Sequence, residues 1–389
     1  MKEFFAQQKQ IISHYLGEFL AAKGTDLNRV HPMGGESGFK IQDFAGKGKM
    51  LRGGLVALAY FLTTTESTAA ADNTTGDTGN TGSGAQEKPE HPEKTAPTTE
   101  FLVPPRAVSA VGGVMELFQS AFLIHDDIMD RDEKRRGGQS VYAQYVSLAE
   151  KKELPDAYHT GESMGICVGD IAFFLAFEIL AEVTRATGKE QLAALCSREL
   201  SYVGVAQMLD VYWGQTKAPI TEKEVFDLYR YKTGRYTFSL PLLCGGHLAG
   251  ASQEQLDALE RIGELLGIVF QLKDDELGLF GEETLLGKPI GSDISEGKKT
   301  LFHVALMERA DSQEKQRLDT LIGKPDISAK EVHYVRSLVD RHGIREWMLD
   351  VCRRYAVEAR ELIDGMEQVS ETYRQILIDL LDYSLNRVS

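Results

Sequence analysis

Along most of the chain the apolar residues return every three to four positions, the period of one helix face. The pattern covers residues 114–128, 166–183, 192–211, 225–229, 256–277, 298–310 and 346–385. The opening segment, MKEFFAQQKQIISHYLGEFLAAKG, has the same spacing and reads as an amphipathic first helix. It lacks the continuous apolar core and the small-residue cleavage site of a secretory leader. Runs of strict two-residue alternation are missing, so the pattern predicts an all-α protein built as one large helical bundle. No run of about 18 apolar residues stands out, and no transmembrane segment is expected. Between residues 63 and 100 there is no Val, Ile, Leu, Met, Phe, Tyr or Trp. Such a stretch buries too little apolar surface to offset its ordering entropy, which predicts a disordered insertion inside a single domain spanning 1–389.

Composition changes this picture little. Of 389 residues, 42% are hydrophobic and 26% charged, ordinary values for a globular protein. The four cysteines (Cys167, Cys196, Cys244, Cys352) form no CxxC pair, which favours a reduced, cytoplasmic protein over a disulfide or zinc scaffold. A formal net charge of −15 argues against nucleic acid as a partner. It leaves room for an anionic small substrate, because that depends on local cations.

Two acidic clusters carry the chemistry. Asp126, Asp127 and Asp130 close one apolar helical run, and the i, i+4 spacing stacks Asp126 against Asp130. Asp274 and Asp275 close another that begins near Leu256. Either cluster alone fits a solvated helix end. Two of them, each at the end of an apolar helix, suit a pair of carboxylate walls facing across a cavity and holding a diphosphate through Mg²⁺, or Mn²⁺ in its place. Three cation groups are placed to help: Lys49 with Arg52, Arg135 with Arg136, and Lys288 with Lys298. The guanidinium fork matches phosphate oxygens in pairs, whereas any one of these charges alone is ordinarily a solvated surface residue. Gly297-Lys298-Lys299-Thr300 lacks the upstream glycine of a phosphate loop, and no histidine pair has zinc spacing.

Taken together, these residues resemble the trans-isoprenyl diphosphate synthases, or polyprenyl synthetases, of the short-chain farnesyl and geranylgeranyl type. The resemblance spans nearly the whole chain outside the 63–100 stretch and implies the isoprenoid synthase fold around a central cavity. Asp126-Asp127-Ile128-Met129-Asp130 looks like the first aspartate-rich motif, implying Mg²⁺ ligands that hold the allylic diphosphate. Gly48-Lys49-Met50-Leu51-Arg52 looks like the GKxxR segment, which with Gln119 and Arg136 would bind isopentenyl diphosphate. Arg135, Lys288 and Lys298 would face the allylic diphosphate. Lys232-Thr233-Gly234 and Phe270-Gln271 match two further segments, and they set Lys232, Thr233 and Gln271 beside the developing allylic cation. In the second motif Gly278 stands where a third aspartate often sits, which leaves Asp274 and Asp275. Homodimerisation also follows from the resemblance.

The residues below Asp126 on its own helix bear on product length. Ala121 and Phe122 lie one turn earlier and Phe118 a further turn down, a mixed small and aromatic floor that points to geranylgeranyl over farnesyl or a longer diphosphate. Phe122 packing in the core is the plainer alternative. A terpene cyclase would share the acidic motif, but it would leave Lys49, Arg52 and Arg136 without a second diphosphate. A silent partner subunit would have lost motif residues that are present here.

Overall fold

The structure, a computed structural model, describes residues 1–64, 101–216, 218–281 and 291–387. Those residues are overwhelmingly helical. In chain order they form α1 (Lys2–Leu27), α2 (Pro32–Gly46), α3 (Leu51–Thr63), α4 (Arg106–Met129), α5 (Val141–Lys151), α6 (Ala157–Thr187), α7 (Gln191–Gln215) and α8 (Glu222–Leu228). A π-helical segment, Tyr229–Ser239, runs straight on into α9 (Leu240–Ala249). Then come α10 (Gln253–Phe280), α11 (Ser292–Ser295), α12 (Leu301–Arg309), α13 (Ser312–Leu321), α14 (Ala329–Arg341), α15 (Ile344–Gly365) and α16 (Glu371–Asn386).

α4 and α10 form the axis of the bundle. α4 packs along α6 and α3; α10 packs along the π-helical segment and α15. Val111, Val114, Met115, Leu117, Phe118 and Ile124 of α4 are fully buried. Burial of each contributes on the order of 2 kcal/mol. α10 starts at a capping box in which the Ser252 hydroxyl accepts from Gln255 N while the Gln255 side chain accepts from Ser252 N. It crosses the π-helical segment at close range. A Cβ on Gly267 would stand 2.1 Å from Gly234 Cα, and one on Gly263 2.5 Å from Ser239 Cα and N, so only glycine permits this approach.

Several expectations need correction. The 346–385 stretch is two helices, α15 and α16, broken at Met366–Ser370. The helix expected from residue 298 begins at Leu301, where the Thr300 hydroxyl caps His303 N. α13 and α14 were not foreseen, although Val332, Val335, Leu338 and Val339 give α14 a buried stripe. Among the described residues one hairpin interrupts the all-α pattern: β1 (Lys134–Arg135) pairs antiparallel with β2 (Gly138–Gln139). The 63–100 stretch lies outside the described residues except at its start, where Thr63 closes α3 with its hydroxyl donating to Ala59 O at 2.8 Å. By length and composition α4 and α6 could each cross a membrane, contrary to the sequence reading. The apolar window of α4 is 78% buried in the fold, as a core helix should be; that of α6 is 44% buried.

Candidate active site

The end of α4 carries Asp126, Asp127 and Asp130, but their surroundings differ. Asp127 is fully buried, with Oδ1 taking Arg135 Nε at 2.5 Å. Its Oδ2 has no hydrogen-bond partner. Burial pushes its carboxyl up to about 7 against the pull of Arg135. Asp126 accepts from Gln207 Nε2 of α7 at 2.9 Å and lies 3.9 Å from Arg135. Asp130 lies 3.8 Å from Lys298 Nζ, and burial together with Asp126 raises its carboxyl to about 6. Lys298 also pairs with Glu296 at 2.5 Å, so this one lysine links the acids of α4 to the segment before α12.

Across from α4, the π-helical segment and α10 build the second wall. Lys232 pairs with Asp210 of α7, and Thr233 Oγ1 donates to Gln271 Oε1 at 2.8 Å. Gln271 Nε2 in turn donates to Asp275 Oδ1 at 2.9 Å, and the Tyr229 hydroxyl donates to Asp275 Oδ2. Tyr229 also accepts from Leu301 N at 3.0 Å. Both oxygens of Asp275 are thus engaged in a buried network, and burial holds its carboxyl well above the usual range. Asp274, by contrast, is 57% exposed and pairs with Arg387 Nη2 at 2.8 Å. The π-helical segment, α10, the end of α7 and the segment before α12 enclose a cavity of about 140 Å³ lined by Asp210, Lys232, Thr233, Gln271, Asp274 and Lys298, among others. The π-helical register itself is pinned by Arg235, whose guanidinium reaches Glu199, Glu260 and Glu264 at 2.6 to 2.8 Å.

The third group gathers around the start of α3. A Cβ on Gly48 would lie 3.1 Å from Arg136 Nη2, so the Gly48–Arg52 segment and Arg136 are neighbours although Arg136 lies 84 positions after Arg52. Arg52 donates to Thr237 Oγ1 at 2.6 Å and lies over the Tyr236 ring, 4.8 Å from its centroid. Arg136 lies over the Phe44 ring at 4.7 Å and donates to Phe44 O. Its backbone has φ 52° and that of Gly137 φ 78°, the two left-handed residues a tight hairpin turn needs. Gln119 is half-buried, one turn along α4 from the buried Glu116. Lys288 lies outside the described residues.

The candidate floor residues sit in an aromatic cluster packed against the core. The Phe122 ring meets Phe173 at 5.0 Å and Tyr236 at 5.2 Å, and Phe118 meets Phe177 at 5.2 Å. Ala121 is fully buried beside them. The sequence reading missed Phe173, Phe177, Tyr229, Glu116, Asp293 and Arg387. The first two follow Asp170 at helical spacing, a signal that was available; the others gave none.

No three acidic, histidine or cysteine side chains among the described residues form a finished metal cage. The carboxylates nonetheless suit Mg²⁺, which takes few protein ligands and completes its shell with phosphate oxygens and water. The missing side chain at 278 also has a substitute. Asp293 Oδ2 lies 2.8 Å from where a Gly278 Cβ would be, so the Asp293 carboxylate fills that space and lines the same cavity.

Fold and site together define a helical enzyme with acidic and cationic groups around one cavity. The family profile of the polyprenyl synthetases matches residues 92–339. A short chain isoprenyl diphosphate synthase of Methanothermobacter thermautotrophicus is 31% identical over 291 residues, 73% of this chain and 81% of that protein. A geranylgeranyl diphosphate synthase of Methanosarcina mazei is 30% identical over 283 residues, 72% of this chain and 80% of that one. In fold, the chain is similar to a geranylgeranyl pyrophosphate synthase of Corynebacterium glutamicum solved with isoprenyl diphosphate and magnesium. That likeness has a TM-score of 0.82 at 23% identity and covers 98% of this chain and 99% of the other. The chain belongs to the polyprenyl synthetase family and is a trans-prenyltransferase.

Proposed function

We propose that this enzyme joins isopentenyl diphosphate to an allylic diphosphate and that its main product is geranylgeranyl diphosphate. The observation that carries the two-substrate reading is the presence of two separate cation groups, one lining the cavity and the other gathered at the start of α3. Lys49, Arg52 and Arg136 stand at the start of α3, apart from the aspartate clusters, with the buried Glu116 beside them. Lys232, Lys298 and Arg135 stand among Asp126, Asp130 and Asp274. The first group would hold isopentenyl diphosphate, with Gln119, and the second the allylic diphosphate.

Asp126, Asp130 and Asp274 would hold Mg²⁺, joined by Asp293, while Asp127 and Asp275 orient Arg135 and Gln271. Magnesium, when bound, supplies a Lewis acid that offsets charge on the departing diphosphate. Arg135, Lys232 and Lys298 add fixed positive charge to the same oxygens. The C–O bond of the allylic substrate breaks with its electron pair leaving on diphosphate, and the double bond of isopentenyl diphosphate attacks the cation. The Thr233 and Gln271 dipoles stabilise that cation, the aromatic floor keeps water from quenching it, and a proton leaves to the released diphosphate.

The exposed apolar face of α6 and α7 supports a homodimer: Phe174 is 72% exposed, Val205 58% and Met208 73%. The four free cysteines support a reducing, cytoplasmic setting. Product chromatography with isopentenyl diphosphate and each allylic primer, with and without chelator, tests the reading. A C20 product that disappears in chelator is expected. Phe122→Ala or Phe173→Ala should lengthen it, and an unchanged product from both would remove the floor.

A further inference from the structure

Glu116 is a fully enclosed carboxylate on α4 that the reaction does not use directly. Its position is set by a close helix crossing. A Cβ on Gly53 of α3 would come within 2.9 Å of Gly112 O of α4, so the two backbones nearly touch, and Glu116 projects one turn further along α4. There it meets the uncapped start of α3. The N-cap residue Met50 has a left-handed backbone, φ 53° and ψ 39°, and its side chain caps nothing. The first-turn N–H groups of a helix need an acceptor, and here it comes from another helix: Glu116 Oε1 accepts Gly53 N at 2.8 Å.

The same carboxylate is the buried counter-charge of the cation group. Burial raises its proton affinity, while Arg52 first and then Arg136 oppose that. Burial chiefly disfavours the charge on Arg136; Glu116 favours it, and Arg52 and Arg135 oppose it. The segment fixed by this cap is Gly48–Arg52, which carries Lys49 and Arg52.

We propose that Glu116 is the positioning residue of the isopentenyl diphosphate subsite. It caps α3 from outside and holds the Lys49–Arg52 turn in its binding shape before substrate arrives. This rests on the two-substrate reading above. The test is steady-state kinetics of Glu116→Ala and Glu116→Gln, varying each substrate in turn, with the melting temperature of each variant recorded. Glu116→Ala loses the acceptor and should raise KM for isopentenyl diphosphate about tenfold, the size of a lost cap, with the allylic KM unchanged within about twofold. Glu116→Gln keeps an amide oxygen for the cap and should restore most of that loss.

Equal rises in both KM values, or a fall in kcat that tracks melting temperature with no restoration by Gln, would make Glu116 merely structural and overturn the proposal. If the Ala variant does not fold, Glu116→Asp replaces it: the carboxylate is kept but drawn back by one methylene, and the same selective rise is required. A parent enzyme that shows no saturation by isopentenyl diphosphate would instead overturn the two-substrate reading itself.

Discussion

Asp130 and Asp127 are three residues apart, yet their environments divide the labour. Asp130 pairs with Lys298 at 3.8 Å beside the cavity, whereas Asp127 is sealed against Arg135. On the proposed metal-ligand role, Asp130→Ala should lower kcat by roughly a thousandfold or more with little change in melting temperature. Asp127→Ala should lower the melting temperature as well, since it removes the buried partner of Arg135 Nε and leaves that guanidinium only Asp132 and the more distant Asp126. Equal melting temperatures in both variants would show that burial does not separate the two roles. His303 gives a pH prediction. Burial, and then the charge of Lys299, pushes its imidazole down from 6.5 to about 4, and its Nδ1 has no partner. The unfolded chain therefore takes up the proton first. Stability is complete above about pH 6.5 and is lost as pH falls through about 4, by at most about 3 kcal/mol. His303→Gln should flatten the fall in melting temperature between pH 7 and 4.5, and an unchanged slope would refute this.

At the scale of elements, the π-helical segment depends on two glycine contacts with α10. A methyl group on Gly267 would stand 2.1 Å from Gly234 Cα, which is backbone and cannot swing aside. Gly267→Ala should therefore cost several degrees of melting temperature and displace Lys232 and Thr233, with turnover falling further than stability explains. Full activity in that variant would mean that the close crossing does not set the site. None of this was legible from periodicity. A π-helix bonds i to i+5 and drifts off the 3.6 period, so the apolar spacing marked only residues 225–229 of this stretch. The long amphipathic helices were legible because each buries one face. The acidic clusters were legible because their members are adjacent in sequence. What they touch was not: Tyr229 reaches Asp275 from 46 residues away and Arg387 reaches Asp274 from 113. Contacts at such separations follow from how helices pack, which no local pattern encodes.

For the whole molecule, the exposed apolar face of α6 and α7 is the feature that a lone bundle leaves unexplained. Met208→Glu combined with Phe174→Glu should convert a dimer to a monomer in light scattering at micromolar concentration, while single exposed polar substitutions elsewhere leave the mass unchanged. A parent that is already monomeric would refute the dimer. The central claim is that one cavity holds two diphosphates at once. Its most direct test is calorimetric titration in Mg²⁺, with isopentenyl diphosphate added to enzyme already saturated with a non-ionisable thiolo analogue of an allylic diphosphate. One further molecule of isopentenyl diphosphate should bind per chain, and Arg136→Ala should weaken that step without weakening binding of the analogue. Competition between the two ligands for a single site would contradict the account and would leave Lys49, Arg52 and Arg136 with no diphosphate to hold.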